Sequence, residues 1–99
     1  MDPNEYERIL STKSIVFLSK PNCKWCVELS TYLQTNNIDF HKIDVNEMEY
    51  GVELVELVKK KEKTVKSYPI CFKDSIFVGS KDELIETIRD LKFNDINNI

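Results

Sequence analysis

Two cysteines two residues apart, in Cys23-Lys24-Trp25-Cys26, carry more chemistry than any other part of this sequence. A pair at this spacing can be two ordinary core thiols, half of a zinc site, or a redox dithiol. A full zinc site would draw on Cys71 and His41, which lie in other elements without ligand-motif spacing. Context favours redox chemistry. The pair follows the apolar run Ile15-Val16-Phe17-Leu18 and opens a stretch in which Cys26, Leu29 and Leu33 share one helical face. A thiolate at a helix N-terminus meets unsatisfied N–H groups and the positive end of the dipole, both of which lower its pKa. Cys23, first in the pair, is therefore expected to be the exposed nucleophile. Cys26, one turn in, is expected to be shielded and to attack a mixed disulfide formed on Cys23. Lys20 adds a cation just upstream.

The elements that must position this pair read, in order, α-β-α-β-α-β-β-α. Asp2 as N-cap with Pro3 and Glu5 predicts a first helix carrying Tyr6, Ile9 and Leu10. Ser14 to Leu18 predicts a central strand buried on both faces. Lys20-Pro21-Asn22 breaks it, and the helix from Cys23 ends at Asn36-Asn37. Ile38 to Val45 predicts a second strand. Asn46-x-x-Glu49 is expected to cap a third helix bearing Met48, Val52, Val55 and Val58, with Gly51 inside it and a polar connection over Lys59 to Ser67. Pro69 to Lys73 and Ile76 to Val78 are short strands joined by Asp74-Ser75, a turn tight enough to force an antiparallel pair. Ser80-x-x-Glu83 opens the last helix, with Leu84, Ile85, Ile88 and Leu91 turned inward and a fraying tail from Phe93 to Ile99. The first two strands, joined through a helix, should be parallel. The expectation is an α/β domain: a four-stranded mixed β-sheet flanked by helices on both faces.

Composition bounds the rest. A chain of 99 residues is one domain, 1–99, large enough for a core without staples. Its formal charge of −3 argues against a nucleic-acid or membrane-surface binder. The run Lys59, Lys60, Lys61, Lys63 and Lys66 reads as a solvated face. Asp2, Glu5 and Glu7 stand where a signal peptide needs base, and no apolar run approaches a membrane span. A soluble, cytoplasmic protein is expected, in a reducing compartment where three cysteines do not build a disulfide framework.

Three motifs in order give the sequence a resemblance to the glutaredoxins, the glutathione-linked branch of the thioredoxin-fold family, over about Ile15 to Ile88. Lys20-Pro21-Asn22-Cys23-Lys24-Trp25-Cys26 is similar to the family's Lys-Pro-Thr-Cys-Pro-Tyr-Cys. Ser67-Tyr68-Pro69 stands where the family has Thr-Val-Pro with a cis proline, and Val78-Gly79-Ser80-Lys81-Asp82-Glu83-Leu84 resembles its Gly-Gly-x-Asp-Asp-Leu region. The resemblance implies a thioredoxin-like fold, with Cys23 as nucleophile and Cys26 as resolving thiol. It implies that Lys20 binds the glycine carboxylate of glutathione and that Trp25 flanks the tripeptide. Tyr68, before cis Pro69, would pair with the cysteinyl part, and Lys81 and Asp82 would hold the γ-glutamyl group. Lys24 replaces the family's proline, Tyr68 its valine and Ser80 its second glycine. The third-helix residue that assists Lys20 in the family has no clean counterpart: ungapped counting lands on Glu56, which has the wrong charge and is not carried over, and Lys59 or Lys60 would substitute.

The remaining candidates read as structural. Cys71, between Ile70 and Phe72, is a small buried hydrophobe rather than a regulatory thiol, and His41 a solvated or locally bonded side chain. Tyr6, Tyr32, Phe17 and Phe40 are core or core-edge aromatics. The leading functional expectation is a monomeric glutathione-disulfide oxidoreductase with glutathione as reductant and no metal. Its substrates would be disulfide-containing or glutathionylated proteins, ribonucleotide reductase among the candidates. The alternatives are a thioredoxin-like reductase fed directly by a flavoprotein, and a glutathione-assisted iron–sulfur binding module.

Overall fold

Five consecutive buried residues, Ile15–Ser19, form the central strand β1. The structure is a computed structural model and describes residues 3–65 and 67–97; the expected Asp2 cap, Lys66 and residues 98–99 lie outside these. Around β1 the chain runs α1 (Pro3–Leu10), α2 (Lys24–Thr35), β2 (His41–Asp44), α3 (Gly51–Lys61), β3 (Ile70–Lys73), β4 (Ile76–Gly79) and α4 (Lys81–Asn97). The sheet order is β2-β1-β3-β4. β2 is parallel to β1, with Val16 opposite His41, while β3 is antiparallel to both β1 and β4. This is the expected mixed sheet. Asp74 and Ser75 both take positive φ, 51° and 68°, the conformation a two-residue hairpin turn demands.

Alternation along β1 and β3 divides the core in two. Val16, Leu18, Ile70 and Phe72 face α1 and α3, packing with Tyr6, Leu10, Leu54 and Val58. Ile15, Phe17 and Cys71 face the other way, onto Leu29 and Leu33 of α2 and Leu84 and Ile88 of α4. Phe17 stacks on Phe40 at 5.7 Å between ring centroids. With helices on both faces, β1 has no solvent side, which is why its sequence does not alternate in polarity.

Several boundaries depart from expectation. β1 begins at Ile15 and runs through Ser19, which pairs with Asp44 of β2 and accepts the Val45 N–H; Ser14 stands before it, its side chain donating to Asp74 Oδ1 (2.9 Å). β2 starts only at His41; Ile38 and Phe40 instead pack as loop residues against the α2/α4 face. Asn46 does not cap α3. Asp44 Oδ1 accepts the Asn46 N–H (2.9 Å) and its carbonyl accepts those of Glu47 and Met48, closing a turn before the helix. α3 begins at Gly51, whose missing side chain lets the helix start press on the Val45 carbonyl. That shifts the buried face to Leu54, Val55 and Val58 and leaves Val52 exposed. α3 also continues to Lys61, three lysines in its last turn suiting the negative end of its dipole. α4 extends to Asn97 rather than fraying from Phe93. At ~1.5 Å per residue it outruns strands of four or five residues. Leu91, expected inside, is 45% exposed.

Candidate active site

Where β1 ends, Asn22 turns the chain through a positive φ of 59° and delivers Cys23 to the N-cap of α2. Cys23 Sγ accepts the Cys26 N–H at 3.2 Å, the hydrogen bond a capping side chain makes. The two cysteines form a disulfide, so the thiols meet as the spacing implies. Cys23, expected to be exposed, is buried at 7% against 3% for Cys26. Its sulfur is drawn inward by the bond to Cys26 and by the cap. Cys26 lies, as expected, on the face of Leu29 and Leu33.

The Tyr68–Pro69 peptide bond is cis, as the resemblance implies. Tyr68 packs on the cluster containing Cys23 and Cys26, and Pro69 is fully buried. Beside them runs a groove of about 160 Å³ lined by Trp25, Ser67, Tyr68, Pro69, Ser80, Lys81 and Asp82. Five of the residues singled out in the sequence thus line one groove. Lys20 does not line it but reaches over the Tyr68 ring, its Nζ 5.2 Å from the centroid. Lys59 and Lys60, the substitutes offered for the family's assistant to Lys20, do not line it.

The groove's far end is built by the start of α4. Ser80 Oγ donates to Glu83 Oε2 at 2.9 Å, joining the two ends of the expected capping pattern. Lys81 Nζ donates to Glu28 Oε2 at 3.2 Å, stands 3.6 Å from Asp82 Oδ1, and lies 4.9 Å from the Trp25 ring centroid. Glu28 was missed in the sequence; its i,i+3 relation to Trp25 on α2 is the signal that could have found it. Burial raises the Tyr68 hydroxyl pKa, keeping the phenol neutral beside the groove. Burial, reinforced by the Glu83 charge, pushes the Cys71 thiol far above the ordinary thiol range. Cys71 is fully buried and its Sγ rests 3.8 Å from the Pro69 carbonyl, a packing role as expected. His41 Nδ1 is hydrogen-bonded to Thr12 Oγ1 at 2.7 Å, away from the pair. Among the described residues no group of three or more His, Cys, Asp or Glu could hold a metal ion, and no helix is long and apolar enough to cross a membrane.

A mixed four-stranded sheet between two helical layers, a Cys-x-x-Cys pair capping the helix after the central strand, and a cis proline before the next strand define a thioredoxin-like fold. The glutaredoxin family model matches residues 15–78, and the chain belongs to the glutaredoxin family. It is 27% identical over 78 residues to rat (Rattus norvegicus) mitochondrial glutaredoxin-2, covering 77% of this chain and 48% of that one. The chain therefore spans about half the length of that curated relative. Among solved structures, a buckwheat glutaredoxin–glutathione complex aligns with a TM-score of 0.77 at 17% identity, covering 90% of this chain and 80% of its own. The dithiolic glutaredoxin 2-C-Grx1 of Trypanosoma brucei brucei aligns at 0.74 and 20% identity, covering 90% and 91%. The holo form of glutaredoxin C1 from Populus tremula x tremuloides does so at 0.74 and 17%, covering 88% and 85%. At these identities the structural likeness is one of fold.

Proposed function

We propose that this chain is a glutathione-dependent thiol–disulfide oxidoreductase that reduces protein disulfides and glutathione mixed disulfides through Cys23 and Cys26. The observation that carries the reading is the Cys23 sulfur at the α2 N-cap, accepting the Cys26 N–H and bonded to Cys26, next to the Tyr68–Pro69 groove. In the reduced form the same N–H and the helix N-terminus favour a thiolate at Cys23. That thiolate attacks the glutathione sulfur of a mixed disulfide; the S–S bond breaks, the protein sulfur leaves as thiolate, and glutathione stays on Cys23. A second glutathione thiolate attacks the glutathione sulfur held on Cys23, producing glutathione disulfide and restoring the Cys23 thiolate. With a protein disulfide, Cys26 attacks Cys23 Sγ, the substrate thiol leaves, and the Cys23–Cys26 disulfide results. Two glutathione molecules then reduce it, becoming one glutathione disulfide.

Glutathione is the preferred reductant because it carries a carboxylate at each end, and a cation stands beside the groove while a helix N-terminus forms part of its wall. Lys20 stands over Tyr68, and Lys81 lines the groove at the start of α4. In this reading the Tyr68–Pro69 segment, which lines the groove, would offer its backbone to the cysteinyl part. The glutathione in the buckwheat relative's complex supports the same reading. Action as a cytoplasmic monomer on glutathionylated or disulfide-bearing proteins, ribonucleotide reductase among them, belongs to this proposal. The test is steady-state reduction of a small mixed disulfide with glutathione and glutathione reductase, beside a parallel supply from thioredoxin reductase. Turnover is expected with glutathione. Turnover only with thioredoxin reductase would transfer the chain to the directly fed alternative.

A further inference from the structure

In a chain of formal charge −3, three ammonium groups gather around the groove, and they are not equivalent. Lys81 is offset by Glu28 and Asp82, at 3.2 and 3.6 Å. Lys20 and Lys24 form no ion pair among the described residues. Each instead rests on an aromatic ring of the groove wall, Lys20 Nζ 5.2 Å from the Tyr68 centroid and Lys24 Nζ 5.2 Å from that of Trp25. A ring face steadies an ammonium group without cancelling its charge. Both side chains are exposed and flank Cys23 in the chain. Beside the groove, then, Lys20 and Lys24 carry ammonium groups without a carboxylate partner among the described residues, whereas Lys81, on the same Trp25 ring as Lys24, has two carboxylates within reach.

This inference rests on the glutathione reading, which engages Lys20 with one carboxylate of the tripeptide. Lys24, exposed and adjacent to the nucleophile in the chain, is then left as a cation without an ion-pair partner among the described residues. We propose that Lys24 selects protein substrates whose reactive cysteine is flanked by acidic residues. The physical basis is range. Lys24 is the residue next to Cys23, so a carboxylate within one or two residues of the substrate cysteine comes inside the ~8 Å Debye length when the sulfurs meet. Trp25 fixes the ammonium group at the rim beforehand, so that little side-chain entropy is lost when the partner arrives. Attraction of this kind acts mainly on the rate of encounter and falls steeply with salt.

The experiment uses three synthetic glutathionylated peptides that differ only in the two residues beside the cysteine: Glu, Gln or Lys. Pre-reduced, desalted protein is mixed with each, and release of the peptide thiol is followed over a single turnover, which needs no added glutathione. The Glu-flanked peptide is expected to react about tenfold faster than the Lys-flanked one at low salt, the lower end of electrostatic steering. The spread should close at ~1 M salt, where the Debye length is ~3 Å. Lys24→Gln should narrow the spread and Lys24→Glu should reverse its order. Any change in Cys23 reactivity caused by these substitutions acts on all three peptides equally and cancels in the ratio. Equal rates for the three peptides, or an order that Lys24→Glu leaves unchanged, would overturn the proposal. A ranking that persists in single turnover without sustained turnover on glutathione would support charge selection and refute the glutathione reading instead. Failure to release thiol from any peptide would overturn both.

Discussion

Cys23 Sγ holds two positions at once, as acceptor for the first turn of α2 and as half of the disulfide. Serine is among the best N-caps, so Cys23→Ser should fold normally while losing all thiol transfer; residual turnover of a mixed disulfide would remove Cys23 from the nucleophile's place. In the reduced protein its alkylation rate should have a midpoint below the free-thiol value of ~8.5. Cys26→Ser should behave differently. Glutathione can release glutathione from Cys23 unaided, so deglutathionylation should survive while reduction of protein disulfides falls away, and equal loss of both would contradict the division of labour. Lys20 is exposed and seated on Tyr68, so Lys20→Ala removes charge and little packing. Loss of one charge-assisted hydrogen bond is worth ~1–3 kcal/mol, which should appear as weaker use of glutathione in steady-state titrations together with a higher Cys23 pKa.

Among the elements, the start of α3 sets two tendencies against each other. Glycine is the weaker helix former by ~1 kcal/mol, so propensity alone says that Gly51→Ala should stabilise. A Cβ at that position, however, would run into the carbonyl of Val45, which is backbone and cannot swing aside. Overpacking of this kind costs ~1–3 kcal/mol or more, so the net prediction is destabilisation, read as a lower urea midpoint with unchanged m-value. The same contact explains what the sequence did not disclose. Helix and strand order, the hairpin at Asp74-Ser75, and the face shared by Cys26, Leu29 and Leu33 follow from local periodicity and turn chemistry, and all were legible. The start of α3 was not, because Asn46-x-x-Glu49 satisfies a local capping rule while Gly51 answers to a tertiary contact with Val45. Leu91 also departs from its helical phase, which is inward: it is exposed, and the last buried residue of that stripe is Ile88. At the site, the motif residues were legible from resemblance, whereas the Lys81–Glu28 pair and the aromatic seats of Lys20 and Lys24 depend on how α2, α4 and the Tyr68 segment meet in space.

Taken as one object, the molecule is a sheet whose two faces differ in chemistry. The α1/α3 face is aliphatic and aromatic, while the α2/α4 face carries all three cysteines in one cluster. Two of those sulfurs, at the first turn of α2, are bonded to each other; the third, Cys71, is sealed in the central layer with its thiol held neutral by burial and by the nearby Glu83 charge. Cys71 therefore links the redox face to the stability of the whole fold. Its pKa is raised in the folded state, so its contribution is complete below the unfolded thiol value of ~8.5 and is lost as pH rises above it, because the unfolded chain then releases a proton that the folded chain retains. In the oxidised protein Cys23 and Cys26 do not titrate, and Tyr6 and Tyr68, whose pKa values burial also raises, act with the same sign but only from about pH 10 upward. Between about pH 8 and 9.5, then, unfolding free energy from urea titrations should fall by about 1 kcal/mol on account of this thiol. Cys71→Ala should lower stability at every pH by leaving a small cavity, yet flatten the slope across that interval. An equal slope in the variant would show that the decline comes from other groups. Native alkylation supplies an independent check: Cys71 should resist reagent at alkaline pH until the chain unfolds, even where Cys23 in the reduced protein is labelled quickly.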